Sequence, residues 1–152
     1  MEVANYIILL AEDEESDAML LQRAFQKNSI PNPIHWVTDG MQAVGYLRGE
    51  GEYADRSKFP FPSVIMLDLK MPRMSGLEVL KWIRDYPDYQ VIPTIVMSSS
   101  QQDTDIQQAY ALGANSYMLK PPDFDRLVKM VKTTHEYWAM SLKPRTKWSK
   151  PS

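Results

Sequence analysis

The stretch Val64-Ile65-Met66-Leu67-Asp68, continuing as Leu69-Lys70-Met71-Pro72, decides the fold. Four apolar residues in succession read as a strand buried on both faces, the pattern of a central strand in a parallel sheet. The chain then places a carboxylate where that strand leaves the core. Alone, an aspartate at a strand end is most often a turn former or a helix cap. Its meaning depends on what stands at the ends of the other strands.

Four further runs rich in Ile, Val, Leu and Met recur: Ile7 to Ala11, Ile34 to Val37, Thr94 to Met97 and Ser116 to Leu119. Ile34 to Val37 is more mixed and suits a sheet edge. Helix-period stripes lie between the runs. Ala18, Leu21 and Phe25 mark a helix over about residues 16–28, and Asp39 can cap a short one holding Ala43, Val44 and Leu47. Ser75-Gly76-Leu77-Glu78 matches a capping box ahead of a stripe of Leu77, Leu80 and Ile83. Ile106, Ala109 and Tyr110 form another stripe that Gly113 can close. The clearest stripe, after Asp123, is Phe124, Leu127, Val128, Val131 and Trp138. Strands alternating with helices predict an α/β domain, a doubly wound five-stranded parallel sheet, because right-handed crossovers place helices on both faces. Residues 49–62 stay irregular, since their glycines and prolines exclude a continuous helix, and read as a binding element or a tolerated insertion.

Composition narrows the classes. With 152 residues, 44% hydrophobic and 24% charged, the chain suits one soluble domain, and a net charge of −2 gives no field for nucleic acid or membrane. Lys143, Arg145, Lys147 and Lys150 fall near the end with no acid among them. The expected division is a domain over residues 5–140 and a basic C-terminal tail over 141–152. The absence of cysteine excludes a disulfide framework, a thiolate zinc site and a cysteine nucleophile. The apolar run from Tyr6 to Ala11 is too short for a signal peptide or a span, so a cytoplasmic protein is expected.

In open parallel sheets the functional crevice lies beyond the carboxyl ends of the strands. Those ends are Glu12-Asp13 after the first strand, Asp68 after the third, Ser98-Ser99-Ser100 after the fourth and Lys120-Pro121 after the fifth. If these strands are neighbours, three carboxylates, a hydroxyl and an ammonium converge. Acids so close raise one another's pKa unless a cation sits among them. No histidine or cysteine is placed to favour zinc, and carboxylates with a backbone carbonyl suit Mg²⁺. A metal held by acids beside a lysine and a hydroxyl is a phosphoryl site, with Asp68 the candidate acceptor.

Over about Tyr6 to Tyr137 the chain resembles the receiver domains of two-component response regulators. The resemblance rests on Glu12-Asp13, Asp68-x-x-Met71-Pro72-x-x-x-Gly76, Ser98, Tyr117 and Lys120-Pro121, in this order and at these strand ends. It implies a flavodoxin-like (βα)5 fold with strand order 2-1-3-4-5. It implies Asp68 as the phosphorylated residue, with Mg²⁺ held by Glu12, Asp13, Asp68 and the backbone carbonyl of Lys70. Ser98 and Lys120 would contact the phosphoryl oxygens, and the Lys120–Pro121 bond would be cis. Tyr117 would couple to the Ser98 hydroxyl and remodel the face of the fourth helix, fifth strand and fifth helix. The donor would be a phosphohistidine on a sensor histidine kinase. The long loop and aromatic terminal helix look most like receivers that partner bacterial phytochrome-type kinases. Such a protein is a signalling switch that contributes to its own phosphorylation and dephosphorylation, not a stand-alone enzyme.

Ser98 departs from the family's commoner threonine and Glu12 from a frequent aspartate; both keep the chemistry. Lys70 and Ser100 lie two residues beyond Asp68 and Ser98, where the family tunes access of attacking water. One helix and the tail follow Lys120, so no direct DNA binding is expected. Output is expected through protein contacts, a homodimer among them, that phosphorylation tightens through the fourth-to-fifth-helix face. Tyr137, Trp138, Met140 and Trp148 either finish the core stripe or form a partner surface. The competing reading is a non-phosphorylated receiver-fold adaptor that acts by binding, which needs none of the intact acid, hydroxyl and lysine set. A phosphatase or flavin protein on a similar sheet fares worse: Lys70 stands where a second acid is wanted, and the first strand opens no phosphate loop. His35 and His135 lie outside the crevice motif and carry no assigned chemistry.

Overall fold

The computed structural model describes residues 6–141. Strands β1 (Ile8–Ala11), β2 (Ile34–Val37), β3 (Val64–Leu67), β4 (Thr94–Ser98) and β5 (Ser116–Leu119) form one parallel sheet in the order β2-β1-β3-β4-β5. Helices α1 (Glu15–Lys27), α2 (Gly40–Arg48), α3 (Gly76–Arg84) and α4 (Asp103–Ala111) lie in the crossovers, and α5 (Phe124–Met140) follows β5. A single helical turn spans Pro87–Gln90. This is the doubly wound, flavodoxin-like arrangement that the alternation and the resemblance implied.

The two-residue period of the strands divides the core. Leu9, Ala11, Ile65, Leu67 and Val96 face one side, under Ala43 and Leu47 of α2, Val79, Leu80 and Ile83 of α3, and Ala109 of α4. Ile8, Leu10, Val64, Met66 and Ile95 face the other, under Ala18, Leu21, Ala24 and Phe25 of α1 and Leu127 and Val131 of α5. β1 and β3 are buried throughout, while β2 and β5 are the half-exposed edges. Leu9, Ile65 and Leu67 are fully enclosed, and each such side chain contributes about 1.5–3 kcal/mol relative to exposure.

Helix ends follow local chemistry. The Asp39 carboxylate accepts from the Gln42 N–H at 2.8 Å and Asp123 from the Arg126 N–H at 2.9 Å. Gly113, at φ +102°, ends α4, and the N–H groups of Gly113 and Ala114 reach back to the carbonyls of Tyr110 and Ala109. At α3 half of the capping box forms: the Ser75 hydroxyl accepts from the Glu78 N–H at 3.3 Å, but the Glu78 carboxylate meets that hydroxyl rather than the Ser75 backbone. The α3 stripe is also rotated from the expected one. Gly76 itself lies on the buried face, so Val79, Leu80 and Ile83 share it and Leu77 is half-buried.

Residues 49–62 are more ordered than their composition implies. Gly51–Ala54 form a 3-10 turn. The Arg56 guanidinium closes the end of α2, with Nη1 donating to the carbonyls of Tyr46 at 2.8 Å and Phe59 at 3.1 Å and Nη2 to that of Leu47 at 2.8 Å. Tyr53 and Phe59 pack on the buried Tyr46 ring, whose hydroxyl donates to the Pro60 carbonyl at 2.8 Å. Trp138 packs half-buried against the core beneath α1 and α5, whereas Tyr137 and Met140 are exposed. Trp148 and the basic tail from residue 142 on lie outside the described residues. Among the described residues no helix is long and apolar enough to cross a membrane.

Candidate metal and phosphoryl site

Register decides which residues leave the sheet side by side. Ala11 pairs with Leu67, so Glu12 and Asp68 emerge as neighbours, and the Asp68 N–H donates to the Ala11 carbonyl at 3.0 Å. Ser98 pairs with Leu119, and the Lys120 N–H donates to the Ser98 carbonyl at 2.9 Å. Strand ends far apart in sequence, from Glu12 to Lys120, thus open on one crevice.

Carboxylate oxygens of Glu12, Asp13 and Asp68 all lie within 4.8 Å of one another, with Glu12 and Asp68 buried and Asp13 exposed. Burial pushes the Glu12 carboxyl up to about 7; the hydrogen bond from Lys120 works against that shift, and the charge of Asp68 adds to it. A hard divalent cation would relieve both the desolvation and the repulsion. The all-oxygen donor set suits Mg²⁺, so the residues present fit the ion their chemistry implies.

The backbone around Asp68 is held by close packing. A Cβ on Gly76 would overlap the Asp68 carbonyl oxygen and stand 2.7 Å from the Leu69 Cα, and the Gly76 N–H donates to the Leu69 carbonyl at 2.9 Å. That contact is the physical reason for the glycine of the Asp68 motif. Lys70 follows with an exposed side chain, its N–H 3.4 Å from Asp68 Oδ1. From the edge strand, the Trp36 Nε1–H donates to the Glu12 carbonyl at 2.7 Å and fixes the backbone of that acid.

Lys120 Nζ lies 2.7 Å from Glu12 Oε1, 2.8 Å from Asp17 Oδ2 and 3.1 Å from Asp68 Oδ2. Burial opposes its charge, but hydrogen bonds to Asp17 and Glu12 and the charge of Asp68 outweigh that and hold the ammonium above the usual lysine range. Asp17 is absent from the sequence candidates. Its place four residues after Asp13 is legible, but the docking of α1 that brings it to Lys120 is not.

Ser98 is buried, and its Oγ accepts from the Ser100 N–H at 3.1 Å. The Ser100 hydroxyl donates to Asp105 Oδ2 at 2.6 Å, and the Ser100 carbonyl accepts from the Tyr117 hydroxyl at 2.8 Å. Tyr117 is therefore half-buried and tied to the loop that Ser98 begins. The Lys120–Pro121 bond corrects an expectation: it is trans, and no cis peptide bond occurs among the described residues. An X–Pro bond by itself favours trans by about 0.5–1 kcal/mol, and that is the isomer found here. Both histidines lie away from the crevice, His135 with Nδ1 2.7 Å from the Tyr6 hydroxyl and His35 packed against Tyr46 and Phe59.

The response regulator receiver domain family matches residues 8–132 of the chain. The chain belongs to that family. This receiver is 39% identical over 133 residues to the probable methanogenesis regulatory protein FilR2 of Methanothrix harundinacea, a match covering 88% of the receiver and 83% of FilR2. It is 37% identical to the phosphorylated cyanobacterial phytochrome response regulator RcpA, with a TM-score of 0.85 over 93% of the receiver and 99% of RcpA. The Mn²⁺-bound form of Rcp1, a response regulator of Synechocystis, is 33% identical, with a TM-score of 0.82 over 92% of the receiver and 99% of that structure. The receiver thus shares family and fold with response regulators of the phytochrome group.

Proposed function

We propose that this receiver accepts a phosphoryl group from a partner histidine kinase onto Asp68 and signals through protein contacts that depend on phosphorylation. The observation that carries this reading is the meeting of Glu12, Asp13 and Asp68 within 4.8 Å of one another, beside an ammonium 3.1 Å from Asp68 Oδ2. An adaptor that only binds has no use for three mutually repelling acids. Glu12, Asp13, Asp68 and the backbone carbonyl of Lys70 would hold Mg²⁺, which when bound offsets the acids' repulsion and the charge of the phosphoryl oxygens. The Mn²⁺-bound structure of Rcp1 supports a divalent ion here.

An Asp68 carboxylate oxygen attacks the phosphorus of a phosphohistidine; the O–P bond forms as the N–P bond breaks, and the departing imidazole nitrogen takes a proton from solvent. Lys120 stays charged among its acidic partners and balances charge on the transferred group. Ser98 turns its hydroxyl to the phosphoryl oxygens. Because that hydroxyl holds the Ser100 N–H, and the Ser100 carbonyl holds Tyr117, the turn pulls on the β4–α4 loop and on Tyr117 together. The readout is the face of α4, β5 and α5, where Tyr110 and Leu119 are exposed. Attack of water on the same phosphorus restores the carboxylate. Residues 5–140 make up the switch in this reading and 141–152 its basic tail, acting in the cytoplasm. The likeness to RcpA supports a phytochrome-type kinase as the donor.

Intact mass after incubation with Mg²⁺ and acetyl phosphate tests the reading. Wild type should gain one phosphoryl group in a metal-dependent manner, and Asp68→Asn should gain none while melting at the same temperature or higher, since one repelling acid is gone. No gain together with no Mg²⁺ binding would favour the adaptor, and collapse of Asp68→Asn would make Asp68 structural.

A further inference from the structure

Lys120 has three N–H donors and no acceptor. All three are committed, to Glu12 Oε1 at 2.7 Å, Asp17 Oδ2 at 2.8 Å and Asp68 Oδ2 at 3.1 Å. In the reaction proposed above, Glu12 turns to the metal and Asp68 to phosphorus. Asp17 is the partner that neither claims. It stands in the first turn of α1, not on the strand end that carries Glu12 and Asp13, and the packing of Ala18 and Leu21 against the sheet sets its position. The lysine needs such a fixture. Lys120 borders a cavity of about 60 Å³ that Asp17, Asp68, Leu20, Leu21 and Leu127 also line, so packing alone does not fix its long, flexible stem. The Lys120 side chain is 19% exposed and that of Asp17 39%, which lets solvent compete for the ammonium at the mouth of the crevice.

We propose that Asp17 is a positioning residue for phosphoryl transfer: held by α1, it keeps Lys120 Nζ over Asp68 while Glu12 and Asp68 release the lysine. The role rests on Asp68 being the phosphoacceptor. Asp17 acts through the lysine and touches neither phosphorus nor metal. Asparagine at this position keeps an acceptor oxygen at the same reach, and alanine keeps none.

Phosphorylation by acetyl phosphate, followed by intact mass across Mg²⁺ and donor concentrations, tests the role in wild type, Asp17→Ala and Asp17→Asn. The ¹H–¹⁵N signal of the Lys120 ammonium is read in the same proteins without phosphodonor. Asp17→Ala should lower the maximal rate about tenfold or more, with half-saturation by Mg²⁺ moving less than about threefold. The Lys120 ammonium signal should be sharp in wild type and lost to solvent exchange in Asp17→Ala. Asp17→Asn should recover most of the rate and the signal. Should Asp17→Ala not fold, Asp17→Ser, whose hydroxyl falls short of Nζ, carries the same expectation. An alanine variant as fast as wild type overturns the proposal, as does an asparagine variant as slow as alanine. Wild type that neither takes up a phosphoryl group nor binds Mg²⁺ overturns the functional reading and this role with it, whereas a phosphorylated wild type matched by Asp17→Ala overturns the role of Asp17 alone.

Discussion

Asp68 gains its chemical meaning from what surrounds it: two acids that repel it, a lysine that offsets them, and a glycine pressed against its own carbonyl. The same desolvation acts with opposite consequence on His35. Its ring packs 5.9 Å from that of Tyr46 and 6.5 Å from that of Phe59, and burial lowers its pKa from the ordinary 6.5. The folded protein therefore binds this proton more weakly than the unfolded chain does. The stability that neutral His35 confers is complete above the unfolded value and is lost as pH falls below it. Urea unfolding at about pH 7.5 and about pH 5.5, on either side of the histidine range, should show wild type losing more stability over that interval than His35→Gln. Equal losses would place the titration in other residues.

At the level of single elements, two connections carry more structure than their composition suggests. The turn from β3 to α3 closes through Gly76, where any side chain would meet the Asp68 carbonyl. Gly76→Ala should cost about 1–3 kcal/mol, the range for overpacking an enclosed site, and should also slow phosphorylation because the backbone that must yield belongs to Asp68. Urea denaturation and the mass assay read the two effects separately; a variant as stable and as fast as wild type would show that the turn can open without moving the site. The segment after α2 is closed by Arg56, whose guanidinium serves the carbonyls of Tyr46, Leu47 and Phe59 at once. Arg56→Ala should cost about 1–3 kcal/mol through the acceptors left without a donor. Arg56→Lys should recover little, because an ammonium does not reproduce the planar fork. Amide exchange through residues 49–62 should quicken in both variants, and unchanged exchange would show that the aromatic packing holds the segment by itself.

Across the whole molecule, the helices are held unequally. α1 sets Ala18, Leu21, Ala24 and Phe25 into the core, whereas α4 contributes Ala109 and is tied at its far end by Arg84, whose Nη1 donates to the Ala111 carbonyl at 2.8 Å. The end of α4 near the crevice is linked instead to the Ser98 loop, through Ser100 and Asp105. A switch at Ser98 therefore reaches the α4–β5–α5 face first. Phosphorylation is expected to tighten a homodimer through that face. Sedimentation should shift toward dimer on phosphorylation and stay monomeric in Leu119→Lys, which should still gain the phosphoryl mass. Identical sedimentation with and without phosphorylation would rule out tightening of a homodimer by phosphorylation.

The sequence by itself determined the five-stranded α/β architecture, because strands buried on both faces read as continuous apolar runs and the helices between them as single stripes. It also determined the residues at the strand ends, since a parallel sheet delivers the carboxyl ends of all its strands to one edge. The tertiary structure alone decided the rest. Asp17 reaches Lys120 through the docking of α1, 103 residues away in sequence. Residues 49–62 become ordered through Arg56, a charged side chain whose partners are backbone carbonyls and leave no trace in the pattern of residue types. Local patterns record which groups the chain must bury; which distant group meets which is set by packing, where a shift of a few ångströms makes or breaks an ion pair.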